Sequence, residues 1–347
     1  MKVLLCGGNF GILTEKKESS ILKKIYSEFL SPASEIDIIN GGDLTELPEK
    51  LTGYNLILWM ANINNEVPKS YPQKDPGAVL ICSKVMREGY TRIDSLSRIF
   101  KLHGNAVLEI YKEDSHVKFI MVDALGNEWY EGDDIQKLVQ SILKFYIFTS
   151  ESKRIQTTQV KCFENEDTKN LKGLIEENKR LQSIIMTRCG DRFFGNLSTR
   201  CTKLFPTFRG LTTMYVSPRN VNKESIQPED MIVYNSEDKY IGENKPSVDS
   251  PTQIRLYSKY PNINFMIHGH ATFEDATTTE NYRLCGDIRE VDEILNIVHK
   301  DTDWFVINLK NHGFLIGANN LNTLRDIIIE IEKGITYGKI KITNQKE

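Results

Sequence analysis

The first half of the chain alternates short apolar runs with segments of helical spacing. Six apolar runs, each short and bounded by polar or turn-forming residues, predict strands. These runs are 3–6, 35–39, 54–60, 78–82, 106–111 and 117–122. Helical spacing predicts helices over 20–30 and 134–148. Strands that alternate with helices favour a parallel sheet covered by helices, so we expect residues 1–149 to form a flavodoxin- or Rossmann-like α/β domain.

The second half follows a polar segment and has a different pattern. Residues 150–170 are polar and include the charged run 164–170, which predicts a linker between two domains. Helical spacing predicts a helix over 171–186 and a last helix over 323–333, with strand-like runs and glycine or proline turns between them. We therefore expect residues 171–347 to form a second domain, α+β or α/β, with mostly antiparallel strands.

Composition excludes several classes of function. The 347 residues are 40% hydrophobic and 26% charged, which is typical of globular proteins and leaves room for two domains. The net charge of -3 and the scattered basic residues predict no nucleic-acid partner. The N-terminal apolar run is too short for a signal peptide, and no apolar run has the length of a membrane span. Because the six cysteines form no CxxC pair, we expect reduced thiols and a cytoplasmic protein without membrane partners.

Histidines at a predicted strand end indicate a metal site. The apolar run 263–268 predicts a strand that ends at His268-Gly269-His270. Side chains two residues apart on a strand point to the same face, so both imidazoles can reach one ion. His312, in Asn311-His312-Gly313, is a third candidate ligand. Three nitrogen ligands with a fourth position open are typical of catalytic zinc. The alternative is that His268 and His270 are structural, hydrogen-bonded histidines.

A series of spaced motifs accompanies the histidines. In chain order they are Phe194–Ser198, Val216–Val221, Gln227–Val233, Asn244–Asp249, the His-Gly-His segment and Asn311–Gly313. In this order and at these separations, the motifs resemble the class II aldolase/adducin family over about residues 175–335. The resemblance implies an α/β/α domain that binds zinc or another divalent metal through His268, His270 and His312.

The resemblance also implies a function. Family members are lyase-like enzymes that stabilise an enediolate, and they act on small phosphorylated or carboxylated substrates of sugar metabolism. The expected reaction is aldol cleavage, decarboxylation, dehydration or epimerisation, which the sequence does not separate. The expected assembly is a homo-oligomer, a tetramer by resemblance. Two alternatives stay open: a non-catalytic, adducin-like binding module, and a bifunctional protein whose first domain binds a nucleotide.

Asp249 stands where the family has its acid/base glutamate. The motif Lys245-Pro246-Ser247-Val248-Asp249 keeps the carboxylate but shortens its reach by one methylene. The resemblance therefore makes Asp249 the candidate catalytic residue. The alternative is a plain helix cap, because Asp249 or Ser250 followed by Pro251 is an ordinary helix start.

Three loops match the positions at which the family binds the anionic group of its substrate. The candidate substrate-binding residues are Asn196, Ser198, Ser217, Arg219, Asn220, Lys245 and Ser247. Asn220 replaces a glycine of the family, and asparagine is a common substitute in a left-handed conformation. Arg219 offers a guanidinium that can hold a phosphate or carboxylate, or else it is a solvated turn residue. Cys285, further along the chain, could touch a soft metal, but we expect a packed thiol because three nitrogens already serve zinc.

Glycines after the first predicted strand are a candidate cofactor site. Gly7, Gly8 and Gly11 follow the strand, as in loops that bind phosphate at a helix N-terminus. The spacing is not GxGxxG, and the alternative is that the first domain is a scaffold or docking module.

Overall fold

The computed structural model describes most of the chain, and the described residues form two compact units. The units are Met1–Glu151 and Ser152–Gln345. The described ranges are 1–7, 20–40, 50–60, 73–113, 116–160, 169–185, 188–189, 192–201, 206–336 and 342–344. None of the helices in these ranges has the length and apolar character needed to cross a membrane.

The first unit is a sheet with helices packed against it. Its elements are β1 (Lys2–Gly7), α1 (Ser20–Phe29), β2 (Glu35–Asn40), β3 (Lys50–Leu51), β4 (Leu56–Met60), β5 (Gln73–Lys74), β6 (Val79–Met86), α2 (Arg92–Leu102), β7 (Ala106–Glu113), β8 (His116–Asp123), β9 (Glu128–Gly132) and α3 (Ile135–Ser150). The described strands form a seven-stranded sheet in the order β2-β1-β4-β6-β7-β8-β9, and β3 pairs with β5 apart from it. Apolar side chains of α1 and α3 join those of the sheet in one core.

The predicted parallel sheet is confirmed for five strands. Strands β2, β1, β4, β6 and β7 pair in parallel, whereas β8 and β9 are antiparallel to their neighbours. Only two residues separate Glu113 from His116, and a parallel crossover needs about a dozen residues. The last two strands therefore follow as hairpins. Helix α2, which the apolar pattern did not predict, lies against β6 and β7.

The second unit contains the remaining elements. They are β10 (Thr158–Gln159), α4 (Lys169–Gln182), β11 (Arg188–Cys189), β12 (Arg192–Phe193), β13 (Asn196–Arg200), a 3-10 turn (Pro206–Phe208), β14 (Thr213–Val216), a 3-10 turn (Pro228–Asp230), β15 (Ile232–Asn235), β16 (Lys239–Ile241), α5 (Ser250–Lys259), β17 (Phe265–Gly269), β18 (Ala271–Phe273), β19 (Thr277–Thr278), α6 (Glu290–Leu295), β20 (Trp304–Leu309), β21 (Gly313–Ala318), α7 (Leu321–Thr336) and β22 (Ile342–Asn344).

A large, mostly antiparallel sheet is the centre of the second unit. Its described strands follow the order β10-β16-β15-β14-β13-β17-β21-β20-β19. One apolar core joins a face of this sheet to α4 and α7, and a second core joins the other face to α5 and α6. The unit is therefore an α/β/α sandwich, the architecture expected for the second domain. Part of the predicted linker belongs to this unit, because β10 pairs in parallel with β16.

Candidate metal centre

Three neighbouring strands bring the candidate histidines to one edge of the sheet. Strand β17 lies between β13 and β21 and is antiparallel to both, so its C-terminal end meets their N-terminal ends. His268 lies in β17, His270 follows the end of β17 directly, and His312 immediately precedes β21. Residues far apart in sequence therefore meet because of strand pairing.

The three imidazoles form a tight, buried cluster. Their ring centroids are 4.9 Å, 5.1 Å and 5.4 Å apart, and candidate ligand atoms from the three rings lie within 4.8 Å of one another. Each residue is at most 8% exposed. Gly313 permits this approach, because it has a φ of 148° and a Cβ there would collide with the carbonyl oxygen of Gly269. The spacing and burial suit one ion held by three nitrogens.

Outer hydrogen bonds fix how two of the rings face the cluster. His268 Nδ1 lies 2.8 Å from the Phe314 carbonyl oxygen, and His312 Nδ1 lies 2.9 Å from Glu290 Oε1. Metal-binding histidines typically donate their second N–H to such acceptors, which leaves Nε2 for the ion. The ring of Phe194 stacks on His270, with centroids 5.0 Å apart.

One imidazole nitrogen in this cluster lacks a partner of its own. His268 Nε2 is buried and has no hydrogen-bond partner among the residues that the structure describes. An orphaned buried nitrogen is costly unless a ligand satisfies it. The donor set, with fixed rings and this orphaned nitrogen, therefore fits zinc or a similar divalent ion, which would be held by His268, His270 and His312.

Burial and neighbouring charges move the pKa values of the site in opposite directions. Burial lowers the pKa of His268, and repulsion from His312 lowers it further, so this imidazole is neutral at neutral pH. Burial also lowers the pKa of His312, but Cys285 and Glu290 outweigh burial and hold that pKa well above its ordinary value. Burial raises the pKa of the Glu290 carboxyl group in spite of His312.

The Asp249 carboxylate points into this cluster. Its Oδ1 accepts the Gly286 N–H at 2.8 Å, and its Oδ2 lies 3.4 Å from Asn196 Nδ2 and 3.8 Å from His268 Nε2. Asp249 does occupy the N-cap position of α5, but its side chain makes no cap hydrogen bond. The geometry therefore does not support the plain helix cap that the sequence left open.

Asn196 and Ser247 join this carboxylate in a buried hydrogen-bond network. Asn196 lies opposite His268 in the pairing of β13 with β17, and it donates to Ser247 Oγ at 3.1 Å. Gln253 of α5 donates to Asn196 Oδ1. Ser217 is completely buried, and its hydroxyl accepts the Leu197 N–H, so it supports the strands beneath the site.

Ser198 lies elsewhere. It follows Asn196 by two residues along β13, pairs with Met266, and is fully buried. Its hydroxyl lies 3.1 Å from the buried Tyr257 hydroxyl. The structure therefore brings six of the seven predicted substrate-binding residues to the site or to the loops around it and leaves Ser198 in the core.

The loop around Arg219 forms the rim of the site. The Arg219 N–H donates to the Lys245 carbonyl oxygen, and Arg219 Nε donates to the Pro246 carbonyl oxygen at 3.3 Å. The Arg219 side chain reaches solvent, while desolvation of its guanidinium lowers the pKa and attraction to Asp249 opposes that effect. Lys245 is exposed. Asn220 has a φ of 57°, the left-handed conformation predicted from the sequence, and its Oδ1 accepts the Phe193 N–H.

Three further residues of this region did not emerge as site residues from the sequence. Cys285 Sγ lies 3.2 Å from His312 Nε2, so of the two roles considered for this thiol the structure favours a position at the cluster over a packed one. Glu290 holds His312, as described above. Lys223 is 2% exposed and donates from Nζ to the carbonyl oxygens of Pro218 and Val221, so it fixes the rim loop. One indication of the Glu290 position was present in the sequence, namely a glutamate at the start of a helix shortly after Cys285-Gly286.

The glycine-rich segment of the first unit is described only at its start. Gly7 is buried and ends β1. Gly8 and Gly11 lie outside the described residues, so the predicted cofactor site stays a prediction.

The fold and the histidine cluster define an α/β/α domain with a candidate metal site at the ends of three sheet strands. Residues 181–336 match the family model described as Class II Aldolase and Adducin N-terminal domain. The family predicted from the motif series is therefore confirmed for the C-terminal half of the chain.

Solved structures similar to this chain include an aldolase and a class II aldolase domain. An L-fuculose 1-phosphate aldolase is 20% identical, with a TM-score of 0.37, over 50% of this chain and 85% of its own. The N-terminal class II aldolase domain of a conserved protein from Thermoplasma acidophilum is 16% identical, with a TM-score of 0.35, over 52% of this chain and 99% of its own. A DNA/pantothenate metabolism flavoprotein from Streptococcus pneumoniae is 10% identical, with a TM-score of 0.33, over 43% of this chain and 98% of its own.

Proposed function

We propose that the second unit is a metal-dependent, lyase-like enzyme for a small phosphorylated or carboxylated sugar derivative. The observation that carries the proposal is the cluster of His268, His270 and His312, in which outer hydrogen bonds orient two of the rings and His268 Nε2 is orphaned. A purely structural cluster would satisfy that nitrogen within the protein. The reaction class is aldol cleavage, decarboxylation, dehydration or epimerisation.

The residues divide the work between proton transfer and binding. A divalent ion bound here would polarise a substrate carbonyl and stabilise an enediolate. One oxygen of Asp249 accepts the Gly286 N–H, and the other faces the cluster. That second oxygen can take a proton from the substrate and return it. Asn196 fixes that oxygen through its amide. Burial of the whole set strengthens each of these interactions.

The position and charge of Arg219 support the proposal of an anionic substrate. Its guanidinium lies at the rim and is attracted by the charge of Asp249, and guanidinium groups bind phosphate and carboxylate through paired N–H donors. Lys223 donates to two carbonyl oxygens of the same loop, so the backbone that carries the Arg219 guanidinium is held in place. We place the phosphate or carboxylate of the substrate at Arg219 and Asn220, with Ser247 and the exposed Lys245 next to them.

Metal content tests the proposal first. The full chain, purified without chelator, is expected to hold about one zinc or other divalent ion per chain at this three-nitrogen site. His268→Ala should lose most of the metal, because the ligand that reaches the ion through the orphaned Nε2 is gone. His299→Ala is the matched control, since the His299 side chain is 82% exposed and lies outside the cluster. Folded wild-type protein that never binds a divalent ion would refute the proposal.

Turnover tests the role of Asp249. L-Fuculose 1-phosphate and a panel of other phosphorylated ketoses and sugar acids serve as probes. Asp249→Asn should lower turnover by at least about tenfold while leaving metal bound, because the amide keeps the shape but cannot accept the proton. Asp230→Asn is the control, since the Asp230 carboxylate accepts the Gln227 N–H in an exposed 3-10 turn and is not part of the histidine cluster.

A metal-loaded protein that turns over none of the probes would favour the adducin-like binding module. We expect a homo-oligomer by family resemblance, and light scattering measures it. The cytoplasmic location stays a prediction from the sequence.

A further inference from the structure

A second group of potential ligands overlaps the histidine cluster. Candidate ligand atoms of Asp249, Cys285 and His312 lie within 4.8 Å of one another, and His312 belongs to both groups. The Cys285 Sγ is 3.2 Å from His312 Nε2, the nitrogen that faces the cluster once Nδ1 is held by Glu290. Cys285 is half-buried. The thiol therefore lies beside the nitrogen that a metal ion would use.

The segment that carries this thiol is fixed on both sides. The Gly286 N–H donates to Asp249 Oδ1 at 2.8 Å, and a Cβ on Gly286 would come within 2.7 Å of the Val248 carbonyl oxygen. On the other side, the Ile288 N–H donates to the Lys153 carbonyl oxygen at 3.1 Å. Gly286 also has a φ of 78°, which few other residues adopt. These backbone contacts therefore fix the position of Cys285.

We propose that Cys285 is a fourth protein ligand of the metal, which makes the site a three-histidine, one-thiolate centre. This proposal rests on the metal site of the proposed function. Two observations carry it: the position of Sγ beside His312 Nε2, and the orphaned Nε2 of His268 aimed into the same cluster.

Asp249 is the competing candidate for this fourth position. One of its oxygens is bound to the Gly286 N–H, and the other is 3.8 Å from His268 Nε2, whereas the sulfur of Cys285 is 3.2 Å from His312 Nε2. Cys285 as the ligand leaves Asp249 available for proton transfer.

A thiolate ligand changes the chemistry of the site. The thiol loses its proton to solvent when it binds, and the soft sulfur favours zinc over magnesium or manganese. Three nitrogens and one sulfur fill the four positions of tetrahedral zinc. A substrate oxygen would then have to displace Cys285 or raise the coordination number.

Cobalt substitution tests the ligand set without any substrate. The full chain is loaded with one equivalent of Co²⁺, and its near-ultraviolet absorption is recorded. Wild type should show an intense thiolate-to-cobalt charge-transfer band, Cys285→Ser should lose that band, and Cys201→Ser should keep it. Cys201 is the matched control, because it is a half-buried cysteine of the same unit outside the cluster. Cys285→Ser should also weaken zinc binding by more than the roughly tenfold effect of losing an outer-shell partner.

X-ray absorption of the zinc-loaded wild type gives an answer that depends on no variant. A sulfur neighbour at about 2.3 Å from zinc is the expected result. A shell of nitrogen and oxygen alone, or a cobalt band that survives in Cys285→Ser, would overturn the thiolate ligand and leave the proposed function standing. Wild-type protein that binds neither ion would overturn both.

Discussion

Glu290 gives a quantitative test of how the fold tunes the proposed metal site. It starts α6, is 3% exposed, and accepts the His312 Nδ1–H at 2.9 Å. Glu290→Gln keeps the size and an acceptor oxygen but removes the negative charge. The bond to His312 changes from charge-assisted to neutral, and a charge-assisted bond is about twice as strong. We therefore expect a loss of about 1–2 kcal/mol in metal binding.

This loss corresponds to an affinity lower by about tenfold or somewhat more, because 1.4 kcal/mol is about a factor of ten. It agrees with the roughly 10- to 100-fold effect of outer-shell partners on metal affinity. The assay is a competition titration of zinc against a chromophoric chelator. Because burial raises the pKa of Glu290, the titration is run at mildly alkaline pH, which favours the carboxylate.

Glu293→Gln is the matched control for this experiment. Glu293 lies in the same helix and is 6% exposed, but it accepts from Asn281 and Arg283 rather than from a histidine. Both variants lose a buried carboxylate, so both should reduce the free energy of unfolding. Only Glu290→Gln should reduce zinc affinity. Equal zinc affinities for the two variants would refute the assignment of Glu290 as the residue that holds His312 for the metal.

Two further predictions concern stability. Burial lowers the pKa of Lys223 from 10.5 to about 8. Between these pH values the unfolded chain therefore binds more protons than the folded chain. The free energy of unfolding should rise with pH over this range, by at most about 3 kcal/mol. Urea unfolding from neutral to alkaline pH should show this rise in wild type but not in Lys223→Met, and parallel curves would contradict it. Ser198→Ala should cost about 1–3 kcal/mol, because the Tyr257 hydroxyl loses its partner, while metal content by elemental analysis stays unchanged. Loss of metal in Ser198→Ala would contradict the assignment of Ser198 to the core rather than to the site.

Local patterns predicted most elements of the first unit, because each depends on neighbouring residues. The helix predicted over 20–30 begins and ends within a residue of α1, and the strand predicted to end at His268 is β17, which continues one residue to Gly269. Helix α2 was missed. Leu96, Ile99 and Leu102 follow helical spacing and are buried, but the helix has only 11 residues. Isolated helices of this length are marginal, so its stability comes from packing on β6 and β7.

The motifs predicted the residues of the histidine cluster better than the side chains that support it. The strand period placed His268 and His270 together, and the family resemblance added His312 and Asp249. Neither the strand period nor the resemblance distinguished Asn196 at the site from Ser198 in the core, because both lie on the same face of β13. Their positions along the strand decide which of them reaches the cluster.

Sequence patterns alone were enough to predict two kinds of α/β domain, the family of the second, the candidate ligand set and the left-handed turn at Asn220. These properties follow from local spacing, side-chain chemistry and motif order. Three other properties required the three-dimensional structure: Asp249 faces the cluster instead of capping its helix, Glu290 holds His312, and Cys285 lies beside the same imidazole. Those contacts join segments 22 to 37 residues apart in the chain, and their distances come from how the strands pair and the loops pack.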